Sequence, residues 1–253
     1  MTREGPVEIA PGLLRPDWDL PAGVGALLTT RAGGQSVGPF ASFNLGGHVG
    51  DDPLAVAANR ARLRVFVPAD PLWLSQVHGA AVANADVSEG VPEADAVLAR
   101  SSRRVCAVLT ADCLPALLCD DDASVVAAAH AGWRGLAAGV LENTVREMGV
   151  PPHRLRAWLG PAIGPAAFEV GDEVRAAFVA DDPEAATAFV ARPVAGKWLA
   201  DLFVLARRRL VAAGVTRVSG GGVCTVSAPQ RFYSYRRDGV TGRFASMVWL
   251  EGR

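Results

Sequence analysis

The chain has 253 residues, half of them hydrophobic, with 25 basic against 26 acidic side chains and a net charge of -1. That is ample apolar material for an ordinary buried core. The even charge, free of long single-sign blocks, argues against nonspecific binding to nucleic acid or to a membrane surface, so an anion recognised here must be met by a local arginine cluster.

No run approaches eighteen apolar residues, and MTREGPVEIAPGLLRPDWDL lacks a basic-then-apolar leader pattern. The four cysteines, Cys106, Cys113, Cys119 and Cys224, show no CxxC spacing and are too sparse for a disulfide framework. A reduced, cytoplasmic protein is expected, with Cys106 and Cys119 buried inside apolar runs. Proline and glycine are spread as turn punctuation, with no repeat and no linker. Residues 1–253 are therefore expected to form one domain, with about the first twenty peripheral.

In chain order, LLTTRAGGQS (27–36) reads as a strand ending at Arg31 before a glycine turn. NLGGHVGDD (44–52) sets Asn44 and His48 among glycines, ahead of an acidic pair that can cap the helix PLAVAANRARLRVF (53–66). PLWLSQVHGAAV (71–82) carries an apolar run into Gln-Val-His-Gly. RRVCAVLTADC (103–113), LPALLCDDD (114–122) and SVVAAAHAGWRG (124–135) read as three successive strands. LAAGVLENTVREMGV (136–150) has helical spacing and closes at Gly149 before two prolines. RLRAWLGPAIG (154–164) returns to strand, and 169–180 and 198–215 read as amphipathic helices. FYSYRRDGVTGRFA (232–245) places Arg236, Arg237 and Arg243 around a hairpin-like turn, and RVSGGGVCT and FASMVWL read as closing strands. The mixture of hairpin-like pairs and strand–helix–strand units predicts an α/β (α+β) fold, a layered α/β/α-type sandwich with mixed sheets.

Three residues share one local setting. His78, Cys113 and His130 each stand where an apolar strand gives way to a turn of small residues. Two imidazoles and a thiolate suit zinc, and three protein ligands leave a fourth place open, as catalytic sites do. Their gaps of 35 and 17 residues match no local zinc signature, so residue spacing also permits a metal-free reading with Cys113 as nucleophile and His130 as base. In His130-Ala-Gly-Trp-Arg-Gly, Gly132 and Gly135 allow close backbone approach to a ligand, and Arg134 beside a helix start suits phosphate. Arg31, Arg236, Arg237 and Arg243 read either as further anion holders or as solvated surface.

These segments resemble the family of laccase-domain, or multicopper polyphenol oxidase-like, proteins, whose bacterial members have been reassigned as purine nucleoside phosphorylases with adenosine deaminase activity. The stretches that carry the resemblance are TTRAGGQS, SFNLGGHVGDD, NRARL, SQVHGA, ADAVL, TADCLPALL, HAGWRG, LGPAIGPAAFEVG and YSYRRDGVTGR, in the family's order from about Thr29 to Arg243. The resemblance implies that His78, Cys113 and His130 hold one catalytic zinc in a pocket at one edge of a compact sandwich. It further implies phosphorolysis of adenosine or inosine, with methylthioadenosine a further candidate, to free base and ribose 1-phosphate. For deamination at C6 of adenine, Asp112 and Glu169 are the carboxylates at positions suited to proton transfer. Arg31, Asn44, Arg134, Arg236 and Arg237 are candidates to hold substrate or phosphate, and His48 to assist the leaving base. A copper-dependent polyphenol oxidase is the alternative the family's name suggests. Four histidines with no HxH pair cannot build a type 1 site and a trinuclear cluster, so zinc is preferred over copper. A metal-free Cys-His hydrolase is the other enzyme reading. A non-enzymatic binding module fits less well, since the polar groups converge on a pocket and not on a flat apolar face.

Overall fold

The computed structural model describes residues 6–252. Two six-stranded mixed sheets form the body. The first runs in the order Val7–Ala10, Leu13–Arg15, Val24–Thr29, Phe244–Leu250, Val105–Thr110 and Pro71–Leu72, antiparallel except for its last pair. The second runs Arg217–Gly220, Leu155–Leu159, Leu114–Asp120, Val126–Ala131, Ala96–Ala99 and Val82–Asn84, with a parallel pair at each edge. A small antiparallel sheet of Glu169–Gly171, Lys197–Ala200 and Phe189–Ala191 lies apart from them.

Strand alternation explains how the layers stack. Leu28, Cys106, Val108 and Val248 of the first sheet meet Leu117, Cys119, Val126 and Ala128 of the second in one buried cluster. The other face of the second sheet, with Ala116, Leu118, Ala127 and Ala129, packs under the helices Val140–Met148 and Leu202–Ala212. On the outer face of the first sheet, Leu27, Ala107 and Met247 are covered by Phe43, Leu45 and Leu63, the last from the helix Pro53–Arg64. The layered α/β class with mixed sheets is as the sequence predicts. Two of those sheets lie face to face between the helical layers, an arrangement that apolar runs alone leave open, since a strand buried on both faces reads the same whether helices or a second sheet cover it.

Several element boundaries differ from the sequence expectation. The helix expected over 136–150 is two, Trp133–Ala137 and Val140–Met148, broken at Gly139, whose φ of 89° suits glycine. Segment 198–215 is a strand to Ala200 and then a helix from Leu202, because the Asp201 carboxylate accepts from the amides of Phe203 and Val204 and starts the helix there. Segment 169–180 divides likewise into Glu169–Gly171 and the helix Asp172–Val179. The segment 235–238 is a short helix, not a hairpin. Of the first twenty residues, 1–5 lie outside the described residues. Leu13, Leu14 and Trp18 are buried and belong to the core, so this stretch is not peripheral. Cys106 and Cys119 are buried, as expected.

One hairpin answers the spacing of Cys113 and His130. Strands Leu114–Asp120 and Val126–Ala131 pair with Leu114 opposite Ala131 and Pro115 opposite His130. At the closed end, Asp120 accepts from the Ser124 and Val125 amides and from the Ser124 hydroxyl, fixing the turn and hence the register. At the open end, that register brings Cys113 beside Gly132.

Candidate active site

His130 lies on the buried end of its strand, on the side shared with Val126 and Ala128. Cys113 precedes the neighbouring strand. His78 comes from a different quarter, the segment that follows Pro71–Leu72 along the edge of the first sheet. Gln76 keeps that segment in place by acting as a strand with its side chain. Its Oε1 accepts from the Leu109 amide at 2.8 Å and its Nε2 donates to the Leu109 carbonyl at 2.9 Å. The chain then turns at His78 with φ of 61°, a left-handed conformation that costs a non-glycine residue about 1 kcal/mol or more.

Asp95 offsets that cost. This fully buried carboxylate accepts from the amides of Val77 (3.2 Å), His78 (2.9 Å) and Gly79 (2.6 Å), and also from Nδ1 of His130 at 2.8 Å. One side chain thus sets the backbone of one histidine and the ring orientation of the other, and leaves His130 Nε2 facing the site. Supporting carboxylates of this kind commonly orient metal-ligating imidazoles. Asp95 escapes a reading of the sequence because it opens the strand Ala96–Ala99 as an ordinary polar residue. Its position within ADAVL, one of the resembling stretches, was the available signal.

The donor atoms of His78, Cys113 and His130 all lie within 4.8 Å of one another, and Cys113 Sγ is 3.7 Å from His78 Nε2. Zinc held at about 2.0–2.3 Å by nitrogen and sulfur sets its ligands roughly 3.3–3.8 Å apart in a tetrahedron. The Cys113–His78 separation falls in that range, and the whole set lies close enough for small side-chain shifts to close two nitrogens and one sulfur on a cation. Gly132 completes the cradle, since a Cβ there would stand 2.8 Å from Cys113 Sγ and 3.0 Å from His78 Cδ2. The electrostatics agree. Burial opposes the thiolate, but the imidazoles of His130 and His78 outweigh it and pull the Cys113 pKa below its ordinary value. Burial likewise opposes the imidazolium, yet Cys113 and then Asp95 raise His130 above its ordinary value. A thiolate is therefore in place for a metal at neutral pH.

These three residues form the floor of a cavity of about 500 Å³. Leu109, Ala111, Ile163, Phe168, Leu202, Trp133 and Tyr235 supply apolar and aromatic walls, while His48, Arg134, Arg236 and Arg243 supply polar groups. That volume and mixture suit a small ligand. Exposed His48 lies at the cavity's edge, with its pKa lowered by burial and by the charges of Arg243 and Arg60.

The remaining sequence candidates divide between the cavity and its scaffold. Asp112 lines the cavity, but its carboxylate is engaged: Oδ1 accepts from Thr225 Oγ1 at 2.5 Å, and Oδ2 from Ser234 Oγ at 2.9 Å and the Arg236 amide at 2.6 Å. It ties the 234–236 segment to the loop that carries Cys113. Glu169 pairs with Arg192 at 3.3 Å and is not a lining residue. Arg134 stacks on Trp133 with no carboxylate partner among the described residues, and Arg236 donates through Nη1 to the Ala167 and Glu169 carbonyls. Arg31 donates to the carbonyls of Ala41 and Pro229. Arg237 donates to those of Thr225, Val226 and Phe232 and pairs with Asp238. Asn44 is fully buried, donating to the Gly46 carbonyl and to Asp51 while accepting from the amides of Gly46 and Arg243. None of Arg31, Arg237 and Asn44 lines the cavity, although Asn44 holds the backbone of Arg243, which does.

Residues 25–251 match the family described as multi-copper polyphenol oxidoreductase laccase. The purine nucleoside phosphorylase PA4543 of Pseudomonas aeruginosa is 59% identical over 238 residues, spanning 94% of this chain and 98% of that protein. The purine nucleoside phosphorylase YfiH of Escherichia coli K12 is 50% identical over 244 residues, with 94% and 98% covered. Among solved structures, the Neisseria meningitidis protein NMB0706 superposes with a TM-score of 0.91 at 52% identity, covering 95% of this chain and 100% of that one. YlmD from Geobacillus stearothermophilus gives a TM-score of 0.90 at 33% identity, covering 97% and 98%.

Proposed function

The chain belongs to the family described as multi-copper polyphenol oxidoreductase laccase, and from that premise we propose that it is a zinc-dependent purine nucleoside phosphorylase with a subsidiary adenosine deaminase activity. The observation that carries this reading is the meeting of two imidazoles and a thiolate, within 4.8 Å, on the floor of a cavity with aromatic walls and arginines. When bound, zinc supplies Lewis acidity at that floor. The relatives named purine nucleoside phosphorylase supply the substrate class.

The chain's own residues then divide the work. Trp133, Phe168 and Tyr235 offer faces on which a purine can stack. Arg134 and Arg236 bring positive charge to a phosphate that attacks C1′ of the ribose as the base departs. His48, with its lowered pKa, donates an N–H to a purine nitrogen without adding a further cation. Deamination needs a proton carrier beside C6. Among the lining residues the one carboxylate is Asp112, which serves only by releasing a hydrogen bond it already makes. Phosphorolysis makes no such demand, and is assigned as the main activity.

Copper oxidase chemistry finds too few ligands. Besides the three donors at the floor and His48 at the edge, the chain's remaining imidazole choices are exhausted by His153, in the turn Pro152–Arg154 beside Arg217. The deciding experiment incubates zinc-loaded protein with adenosine and phosphate and separates the products. Adenine with ribose 1-phosphate is expected, with inosine as the minor product. Neither product, together with dioxygen-dependent oxidation of a phenolic dye by copper-loaded protein, would reverse the assignment.

A further inference from the structure

The cavity holds a better anion seat than Arg134 or Arg236, both of which are exposed. Arg243 follows Gly242 at the start of the strand Phe244–Leu250 and reaches the cavity half-buried. Its guanidinium has two edges in different states. Nη1 donates to the Thr241 carbonyl at 2.9 Å and the Gly242 carbonyl at 3.0 Å, which fixes the group's orientation. Nε and Nη2 have no hydrogen-bond partner among the described residues, and neither is sealed from solvent. No carboxylate pairs with Arg243 among the described residues, whereas the part-buried Arg156, Arg208 and Arg209 each have one.

The stem is held as firmly as the head. The Arg243 amide donates to Asn44 Oδ1 at 2.8 Å, and Asn44 in turn binds the Gly46 backbone. Gly46 lies against the stem so closely that a Cβ there would stand 2.9 Å from Arg243 Cγ. Arg243 is near enough to Cys113 and Asp112 for their charges to act on it, and its own charge acts on His48. An unpaired, partly desolvated guanidinium is costly unless an anion meets it, and its free Nε–Nη2 edge has the fork geometry that matches two oxygens of a phosphate.

We propose that Arg243 is the principal phosphate-binding residue of this cavity, its free edge holding two oxygens of inorganic phosphate beside the His78–Cys113–His130 floor. The inference rests on the phosphorolytic reading for its choice of anion, and it names the subsite at which that anion binds. Lysine is no substitute here, because a point charge on a flexible stem lacks the fork.

Calorimetric titration of zinc-loaded protein with inorganic phosphate tests this directly. Arg243→Gln should weaken phosphate binding at least tenfold, Arg243→Lys should recover only part of the loss, and Gly46→Ala, which keeps the charge but displaces the stem, should weaken binding as well. In kinetics, KM for phosphate should rise far more than KM for the nucleoside. Zinc content, measured alongside, should stay at the wild-type level in all three. Undiminished phosphate affinity in a folded Arg243→Gln protein, or no phosphate binding by the wild type, would overturn the inference. Phosphate binding that depends on Arg243 in a protein that turns over no nucleoside would uphold this subsite and remove the phosphorolytic reading alone.

Discussion

Replacing Gly132 with alanine adds one methyl group between two of the three candidate metal donors. Gly132 has φ of −60° and ψ of 155°, an ordinary extended conformation, so alanine meets no backbone penalty there. The whole effect must come from contact. The new Cβ would lie 2.8 Å from Cys113 Sγ and 3.0 Å from His78 Cδ2, against an ordinary separation of about 3.5 Å or more. Sulfur therefore retreats by about 0.7 Å, several times the ±0.2 Å that a metal–ligand bond tolerates. Disturbing a metal site's support typically lowers affinity about 10–100-fold, or about 1.4–2.8 kcal/mol. Competition between the protein and a chromophoric chelator for zinc measures this. Thermal melting of metal-free protein should differ little between variant and wild type, since the perturbation is confined to the donors. A Gly132→Ala protein that holds zinc as tightly as the wild type would show that the three donors do not share an ion.

Cys113→Ala should abolish zinc retention and nucleoside turnover while leaving the far-ultraviolet circular dichroism unchanged; retained turnover would remove Cys113 from the ligand set. Arg134→Ala should lower phosphorolysis more than deamination, as the product ratio from adenosine reports, and equal losses would mark a structural arginine. Arg237→Ala, by contrast, should lower stability by about 3 kcal/mol in urea titration, since it strands the carbonyls of Thr225, Val226 and Phe232 and leaves Asp238 unpaired. Asp121 is held at about 2 by hydrogen bonds from Arg217 and Arg156. Its stabilising contribution is complete above the unfolded carboxyl value of about 4 and is lost as pH falls toward 2. Asp121→Asn should accordingly cost about 1 kcal/mol at pH 7, after allowance for solvent screening, and progressively less as pH falls through 2.

The donors were legible in the sequence because each closes an apolar run before a turn of small residues, and the hairpin that joins Cys113 to His130 is local enough to be read from its turn. His78 was harder, since it comes from a segment remote from that hairpin; its setting at the end of an apolar run suggested the grouping, and the resemblance strengthened it. Asp95 was invisible to reasoning from residue types, because a carboxylate's value here lies in four donors that converge on it in three dimensions. Arg31 and Arg237, arginines beside glycine turns that read as anion holders, donate in the structure to backbone carbonyls. Arg243 differs from them in lining the cavity and in keeping one edge of its guanidinium free, distinctions of geometry and not of composition. In the fold, apolar continuity marks the buried strands without saying what covers them, so the face-to-face stacking of the two large sheets is visible only in the structure. Asp201 and Gly139, on the other hand, are ordinary helix-start and helix-break residues that mark where the expected helices divide.

His78 lies in the segment that crosses from the edge of the first sheet at Pro71–Leu72 to the edge of the second at Val82–Asn84, so a bound cation would rivet that crossover to one end of the hairpin bearing Cys113 and His130. At the other end of that hairpin the fastening is ionic, through Asp121 with Arg156 and Arg217. Chelation and acid should thus unzip the molecule from opposite ends, with a metal-stripped protein loosening first around residues 76–79 and an acidified one around its far turn.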